Sequence, residues 1–308
     1  MRTAFVRALM KAACENPRVV LLTGDLGFAV LDEFRANCPR QFYNVGVAEQ
    51  NLAGVAAGLA LSGHIVFTYS IGNFPTLRCL EQVRNDICYH QADVKIVTVG
   101  GGLAYGSLGM SHFATEDLAI LRALPELTVV APGDPIEVEQ LMPQIVARPG
   151  PVYLRLGRAG EQPVHDPATV VELGRPTRAR AGSDVLLLTA GGMLPVALEA
   201  ARQLEPDGIS TAVVSVHTLK PLDGDAICAL AARFRVVVTC EEHTALGGLG
   251  GAVAEVLLEA GVTPTFRRFA LAPAFPAGVG SQEYLRTANR VDAPALRALV
   301  LSLSARSG

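Results

Sequence analysis

Predicted strands and helices alternate along the chain, and this order limits the fold more than any other feature. Short aliphatic and β-branched runs, each ended by Gly, Pro or Ser, predict strands at "RVVLLTG", "HIVFTYS", "VKIVTVG", "LTVVAPG" and "PVYLRLG". Amphipathic segments between them predict helices at about 48–62, 75–90, 115–124 and 134–147. This alternation predicts an α/β fold with mostly parallel sheets covered by helices.

The alternation stops between residues 161 and 182, where Pro, Gly and charged residues are frequent, and then starts again. After this predicted linker, "DVLLLTAGG", "ISTAVVSV", "FRVVVTCEE" and "TPTFRRFA" predict further strands. We therefore expect two domains, residues 1–160 and 183–308, each a mostly parallel sheet covered by helices. A chain of 308 residues with 50% hydrophobic side chains has enough apolar material for two cores.

Charge, hydropathy and cysteine content narrow the class of function. The net charge is -3 and the signs are interspersed, which predicts no nucleic-acid partner. No apolar run approaches the roughly 20 residues of a membrane span, and "MRTAFVRALMKAACENP" predicts an ordinary opening helix. The six cysteines lie far apart in the sequence without metal-binding spacing. We expect reduced core thiols, no metal site on this chain, and a cytoplasmic protein without a membrane partner.

One acid, Glu49, stands near the middle of "YNVGVAEQNLAGVAAGLAL", a run that is otherwise apolar and rich in small residues. On a helix, Glu49 would share a face with Leu52, Ala53 and Ala56, and this face must be buried. Burying an unpaired carboxylate is costly, so this acid needs a partner. The residues alone leave two interpretations open, a capping acid bound by backbone N–H groups and an acid with a functional partner.

Three segments carry a resemblance to a known family: "VGVAEQNLAGVAAGLAL", "YSIGNFPTLRCLEQVRND" and "GMSHFATEDLAILRALPELTVVAPGDP". They resemble the pyrimidine-binding domain of transketolase and 1-deoxyxylulose-5-phosphate synthase, and residues 183–308 resemble the C-terminal domain of that family. The resemblance implies that Glu49 hydrogen-bonds a ring nitrogen of the aminopyrimidine of thiamine diphosphate and thereby activates the cofactor. It also implies an aromatic residue stacked on that ring, which is Phe74 or, failing that, Phe67 or Tyr69.

Four further residues match positions of the family's site. The resemblance implies that His112 faces the reacting carbonyl and that Arg78 and Arg158 hold a sugar phosphate, for which guanidinium groups are suited. Asp25 matches an acid near the cofactor. For each residue a structural role stays open: a hydrogen-bonded histidine, an ion pair, or an aspartate that caps a turn.

The glycine-rich and C-terminal segments predict mainly structural roles. "VGGGLAYGSLG" fits neither a P-loop nor the dinucleotide fingerprint, and we interpret it as a closely packed turn that lines a pocket. By resemblance, His217 and His243 lie away from the chemistry. Glu241 and Glu242 end a strand before a glycine-rich helix start, where we expect them to hydrogen-bond to that turn.

The resemblance also implies a partner. Complete transketolases carry an N-terminal domain in which a Gly-Asp-Gly motif and a downstream Asn hold Mg²⁺ and the diphosphate, and this motif does not occur in the 308 residues. We therefore expect a large subunit with this motif, self-association within an α2β2 heterotetramer, and no activity of this chain alone. The implied reaction is transfer of a two-carbon ketol unit from a sugar or sugar phosphate.

Two alternatives share this fold and stay open from the sequence. One is the β subunit of a 2-oxoacid dehydrogenase decarboxylase, which would pass an acyl group to lipoyl. The other is a non-catalytic binding or regulatory subunit. The segment "LAYGSLGM" stands where full-length transketolases carry acidic residues, so the sugar is not specified by the resemblance.

Overall fold

Two β-sheets, each with helices on both faces, form the computed structural model of this chain, which describes residues 1–305. The strands are β1 (Val19–Thr23), β2 (Phe42–Asn44), β3 (Ile65–Ile71), β4 (Val94–Val99), β5 (Thr128–Val130), β6 (Val152–Arg155), β7 (Thr177–Arg180), β8 (Val185–Thr189), β9 (Thr211–Ser215), β10 (Thr218–Lys220), β11 (Val236–Thr244) and β12 (Thr265–Leu271). The helices are α1 (Arg2–Glu15), α2 (Asp32–Asn37), α3 (Glu49–Leu61), α4 (Leu80–Gln82), α5 (Asp117–Ala123), α6 (Pro135–Ala147), α7 (Leu194–Leu204), α8 (Gly224–Ala231), α9 (Leu249–Glu259), α10 (Gln282–Ala288) and α11 (Ala293–Ala305).

The first sheet has seven strands in the order β10-β5-β6-β4-β3-β1-β2, and all neighbours except β10 and β5 are parallel. The second sheet has five strands in the order β12-β11-β8-β9-β7, with only β7 antiparallel to its neighbour. Central strands such as β4 and β8 are buried along their whole length, as expected for parallel strands covered on both faces. The predicted fold class is confirmed.

Three short strands were not predicted, and two of them change how the domains connect. Strand β7 lies inside the predicted linker of residues 161–182 but pairs with β9 of the second sheet. Strand β10 follows β9 in the chain yet pairs with β5 at the edge of the first sheet. Strands of three or four residues are too short to show a periodic pattern. The sequence of β7, "TRAR", is also polar, as is typical of an edge strand.

The apolar core runs from one domain into the other. Helices α1 and α6 pack together on one face of the first sheet through residues such as Phe5 and Leu141. On the other face, Val129 of β5 belongs to the same buried cluster as Leu219 of β10 and Val214 of β9. The two sheets are therefore joined by shared buried surface as well as by the linker. Within residues 1–305, no helix is long and apolar enough to cross a membrane.

Asp134 fixes the start of α6 and the first part of the linker. Its Oδ1 atom accepts a hydrogen bond from the Glu137 N–H at 2.9 Å, which is the predicted N-cap. Its Oδ2 atom accepts from the N–H groups of Val164 and His165, each at 2.9 Å. Burial of Asp134 opposes ionisation, yet these hydrogen bonds and the His165 side chain hold its pKa at about 2.

We expect Asp134→Ala to lower the free energy of unfolding by about 2 to 4 kcal/mol, because a helix cap is lost and buried N–H groups are left without acceptors. Urea unfolding of the purified chain measures this change. The control is Asp223→Ala, which removes the cap of α8, a single hydrogen bond from the Ala226 N–H at 3.0 Å; we expect a loss of about 1 kcal/mol. Equal losses in the two variants would contradict the prediction.

Candidate active site

Helix α3 begins at Glu49 and turns this acid toward the interior. Leu52, Ala53 and Ala56 are buried on the same face, as helix geometry predicts, and Glu49 is only 4% exposed. Beside it the chain comes close: a Cβ placed on Gly24, just after β1, would lie 3.9 Å from Glu49 Cγ. The carboxylate therefore lies at the carboxyl end of β1, on the edge of the parallel sheet where ligands bind in such folds.

The partner of Glu49 in this structure is a side chain. Arg78 Nη1 donates a hydrogen bond to Glu49 Oε2 at 2.8 Å, while the Arg78 side chain is 50% exposed. No backbone N–H of residues 1–305 donates to this carboxylate, so the structure does not support the interpretation of Glu49 as a capping acid. Among residues 1–305, Glu49 is thus neutralised by Arg78 alone, and solvent reaches the Arg78 side chain.

Of the three candidate aromatic residues, only Phe74 contacts the Glu49–Arg78 ion pair, through the Arg78 guanidinium. The Arg78 guanidinium carbon is 4.7 Å from the centre of the Phe74 ring, which is half-buried. Phe67 and Tyr69 point to the opposite face of β3 and pack against Phe5 of α1, with ring centres 6.3 Å and 6.1 Å apart. The structure therefore does not bring Phe67 or Tyr69 to Glu49.

Phe74 also begins a row of ring contacts that reaches the second predicted arginine. The ring centres of Phe74 and His112 are 5.2 Å apart, and those of His112 and Tyr105 are 6.4 Å apart. The guanidinium of Arg158, which is exposed, lies 5.6 Å from the Tyr105 ring centre. We call Phe74, His112 and Tyr105 the aromatic row; it connects Arg78 at one end with Arg158 at the other.

His112 is half-buried within this row. Its Nδ1 atom is 2.9 Å from Ser111 Oγ, and burial lowers the pKa of the imidazole. Asn73 Nδ2 donates to the carbonyl of Phe113, so the residues that precede Phe74 and follow His112 are bound to each other. The imidazole is therefore held beside Phe74 in its neutral form near pH 7, able both to donate and to accept a hydrogen bond.

Asp25 follows Gly24, which lies near Glu49, and it is held by hydrogen bonds to Asn44. It has a positive φ of 61°, and its N–H donates to Asn44 Oδ1 at 3.0 Å while Asn44 Nδ2 donates to Asp25 Oδ1 at 2.9 Å. Asn44 Oδ1 also accepts from the Gly46 N–H at 3.0 Å, three residues before α3. Sequence reasoning missed Asn44 because β2 is too short to be predicted. The predicted contact between Asp25 and a cofactor stays a prediction.

A buried ion pair supports the segment that follows His112. Arg155 Nε donates to Asp117 Oδ2 at 2.8 Å, and the hydroxyl of Tyr153 donates to the same oxygen at 2.6 Å. Arg155 Nη2 donates to the carbonyl of Ala114 at 2.7 Å. Sequence reasoning selected Arg158 from "LRLGRAG" and missed Arg155, although a charge inside a strand otherwise composed of apolar and aromatic residues is the signal that could have found it.

The two glutamates at the end of β11 have different partners. Glu241 accepts hydrogen bonds from the N–H groups of Leu249 and Gly250 at 2.7 Å and 2.8 Å, so it binds the helix start as predicted. The same prediction is wrong for Glu242. Its Oε1 accepts from the Leu103 N–H at 2.6 Å, and its Oε2 binds Arg286 of α10. Glu242 therefore ties the glycine-rich segment of the first domain to the second domain.

The two C-terminal histidines are fully buried in structural contacts. His217 Nδ1 is 2.9 Å from Thr218 Oγ1, and burial together with the nearby His165 lowers its pKa to about 4. His243 Nε2 accepts from the Ala119 N–H at 3.2 Å. These contacts agree with the structural roles predicted for both residues.

Comparison with known proteins identifies the class to which this fold and site belong. The family model described as "Transketolase, pyrimidine binding domain" matches residues 1–160, and the one described as "Transketolase, C-terminal domain" matches residues 174–291. The chain belongs to the transketolase family, as the resemblance of its motifs predicts. Thiamine diphosphate dependence is a property of that family.

Similarity to individual proteins points to the small subunits of split transketolases. The chain is 37% identical to a subunit of the apulose-4-phosphate transketolase of Phocaeicola vulgatus, over 84% of this chain and 83% of that protein. It is 37% identical to "6-deoxy-6-sulfo-D-fructose transketolase subunit SqwH" of Clostridium sp., over 93% of this chain and 88% of that protein. A solved structure described as "Split gene transketolase, inactive beta4 tetramer" superposes with a TM-score of 0.90 at 38% identity and covers 98% of this chain and 97% of that one.

The residues present fit the aminopyrimidine of the cofactor. Glu49 is a buried carboxylate whose one partner among the described residues is the half-exposed Arg78, and the half-buried Phe74 ring lies 4.7 Å from that guanidinium. Thr68, on the Glu49 side of β3, has a buried hydroxyl without a hydrogen-bond partner among the described residues. A flat ring that carries a nitrogen and an amino group matches this combination of acid, hydroxyl and aromatic face.

We expect the imidazole of His112 to titrate below its ordinary pKa of 6.5, because burial disfavours the charged form. As the pH falls below 6.5, the unfolded chain binds a proton at this imidazole more readily than the folded chain does. The free energy of unfolding therefore falls as the pH falls, and the stability is retained above pH 6.5. Histidine-selective NMR of the chain measures the midpoint, with His112→Gln to assign the signal. His217, with a pKa of about 4, is the internal reference. A midpoint at or above 6.5 for His112 would contradict the prediction.

Proposed function

We propose that this chain is the small subunit of a thiamine-diphosphate-dependent transketolase, which transfers a two-carbon ketol unit from a ketose to an aldose. The observation that carries the proposal is the buried carboxylate of Glu49, whose one charged partner in residues 1–305 is the half-exposed Arg78, which also contacts the Phe74 ring. Burying an acid is costly unless a partner offsets the desolvation, and a partner that is half in solvent can give its place to a ligand. A ring nitrogen of the cofactor is the partner that we assign.

In this proposal each predicted residue has one task. When bound, thiamine diphosphate supplies a carbon nucleophile for carbonyl substrates. Glu49 holds the proton shared with the ring nitrogen, and Phe74 packs against the ring face. His112, neutral near pH 7, hydrogen-bonds the oxygens of the reacting carbonyl. The ring contacts of the aromatic row also limit the access of water to the Glu49 end of the site.

Arg78 has two roles in the proposal. Its contact with Glu49 at 2.8 Å neutralises the acid while the carboxylate has no other partner. Because the Arg78 side chain is half-exposed and carried on the segment before α4, it is free to release Glu49 and contact an anionic substrate group instead. Arg158 is exposed at the other end of the aromatic row and is assigned to an anionic group at the far end of the substrate.

The substrate that we propose is a sugar with an anionic group at its far end. The exposed guanidinium group of Arg158 suits a phosphate or another tetrahedral anion. The relative from Phocaeicola vulgatus is named for a sugar phosphate and the relative from Clostridium sp. for a sulfo sugar, and both names support an anionic substrate class for this chain.

The active enzyme that we propose is an α2β2 heterotetramer. Its other component is a large subunit whose Gly-Asp-Gly motif holds Mg²⁺ and the diphosphate, since this chain has no such motif. Two similar proteins support a partner: the relative from Phocaeicola vulgatus is named as one subunit of its enzyme, and the similar solved structure is an inactive tetramer of β chains. Five large apolar side chains in segments near the site residues are exposed, and their exposure supports a partner surface that covers them. They are Phe28, Val47, Leu77, Leu108 and Met110.

We expect the purified chain alone to show less than about one-hundredth of the ketol-transfer rate of the assembled pair, because half of the cofactor site is missing. The measurement is co-expression with a large subunit that carries the Gly-Asp-Gly motif, followed by assay with a ketose phosphate and an aldose. Turnover of a 2-oxoacid with a lipoyl acceptor would favour the dehydrogenase β subunit instead. A tight complex that is indifferent to thiamine diphosphate would favour the non-catalytic subunit.

We expect Glu49→Gln to lower ketol transfer by the assembled complex on the order of a hundredfold or more, because the amide cannot share a proton with the ring nitrogen. Steady-state kinetics at saturating thiamine diphosphate measures the change, and size-exclusion chromatography shows whether assembly is intact. The matched control is Glu81→Gln, an exposed acid in α4, which we expect to keep the wild-type rate. Unchanged turnover of Glu49→Gln in an intact complex would refute the assignment.

A further inference from the structure

Two cysteines that are 24 residues apart in the sequence meet where the end of α1 lies against the end of α2. Their Sγ atoms, on Cys14 and Cys38, are 3.7 Å apart. Cys14 is exposed at the surface and Cys38 is buried behind it. The expectation of a core thiol is therefore wrong for Cys14, and the fold brings it to Cys38 although the sequence separates the two residues.

The backbone holds both thiols in place. Cys14 lies in the last turn of α1, and the Cys38 N–H donates to the carbonyl of Phe34 at 2.8 Å at the end of α2. Three residues later, Gln41 Nε2 donates to the carbonyls of Ala13 and Val19 at 2.9 Å and 2.8 Å. The segment that follows Cys38 is thus bound to the last turn of α1 and to the first residue of β1.

We propose that Cys14 and Cys38 are a modification site that a hydroperoxide converts into an intramolecular disulfide. In the first step the Cys14 thiolate attacks the peroxide: an S–O bond forms, the O–O bond breaks, and water leaves from hydrogen peroxide once the oxygen takes up a proton. In the second step Cys38 attacks the Cys14 sulfur: the S–S bond forms, the S–O bond breaks, and a second water leaves. Two thiols lose two electrons and the peroxide gains them.

The surroundings assign different tasks to the two sulfurs. The exposed Cys14 is the one that an oxidant reaches first. Burial and the neighbouring Cys14 raise the pKa of Cys38, so its thiol stays protonated and shielded until the Cys14 sulfur is oxidised beside it. No other pair of cysteines in residues 1–305 makes a sulfur contact, and Cys79 and Cys228 contact backbone carbonyls instead.

The disulfide would act on the segment that supports the candidate site. From Cys38 the chain passes through Gln41 to β2, and β2 ends at Asn44, which braces Asp25 next to Glu49. A covalent link at Cys38 anchors this segment to α1. The inference does not depend on the proposed reaction, because it concerns thiols outside the aromatic row.

The test treats the full-length chain with hydrogen peroxide and reads the intact mass and the peptides formed without reductant. We expect a mass loss of about 2 Da, a peptide pair that links Cys14 to Cys38, and a melting temperature several degrees higher, all reversed by dithiothreitol. Cys14→Ser, an exposed and conservative change, and Cys38→Ser should each abolish the link. The control, Cys228→Ser, should keep it.

Three outcomes would overturn the inference. The first is a mass loss of about 2 Da that persists in Cys14→Ser, which places the link elsewhere. The second is addition of oxygen to Cys14 without any link to Cys38. The third is a disulfide between two copies of the chain, visible as a dimer on a non-reducing gel. Because the readouts are masses and melting temperatures, failure of this inference is separate from failure of the proposed enzyme activity.

Discussion

The burial of one carboxylate constrains the structure around it. Glu49 lies on the inward face of α3, and the small residues of that helix allow it to lie close against β1 and β3. A carboxylate in this position needs a positive or proton-sharing partner, because desolvation of an unpaired charge is costly. Arg78 supplies that partner from a half-exposed position. The acid is therefore buried, while the side chain that neutralises it remains in contact with solvent.

The second domain contributes to the site by holding loops of the first. Glu242 at the end of β11 binds the Leu103 N–H in the glycine-rich segment, and Arg155 of β6 binds the carbonyls of both Ala114 and Glu242. Since His112 lies between Leu103 and Ala114, both ends of its loop are fastened to one buried polar network. One atom of this network, Asp117 Oδ1, is buried without a hydrogen-bond partner among the described residues. The polar contacts and the shared apolar core both join the two domains.

The long elements could be predicted from the sequence, and the short ones could not. Helix α3 and the central strands carry clear periodic or continuous apolar patterns, and the structure has them within one or two residues of the predicted limits. Strands β2, β7 and β10 have three or four residues each, and their pairing depends on distant partners. At the site, the inward direction of Glu49 followed from helix geometry. Asn44 was missed because β2 is too short to be predicted, and Arg155 because its partners, such as Asp117 and Glu242, lie far away in the sequence.

The sequence by itself determined the α/β class, the inward acid and the family, because each is written in local patterns of a few to about twenty residues. Tertiary structure alone decided that Phe74 contacts Arg78, the partner of Glu49, while Phe67 on β3 points to the opposite face and packs against Phe5. It also decided that Arg78 pairs with Glu49 and that Cys14 meets Cys38. These contacts join residues 24 to 29 positions apart, and only the packing of helices against the sheet sets such distances.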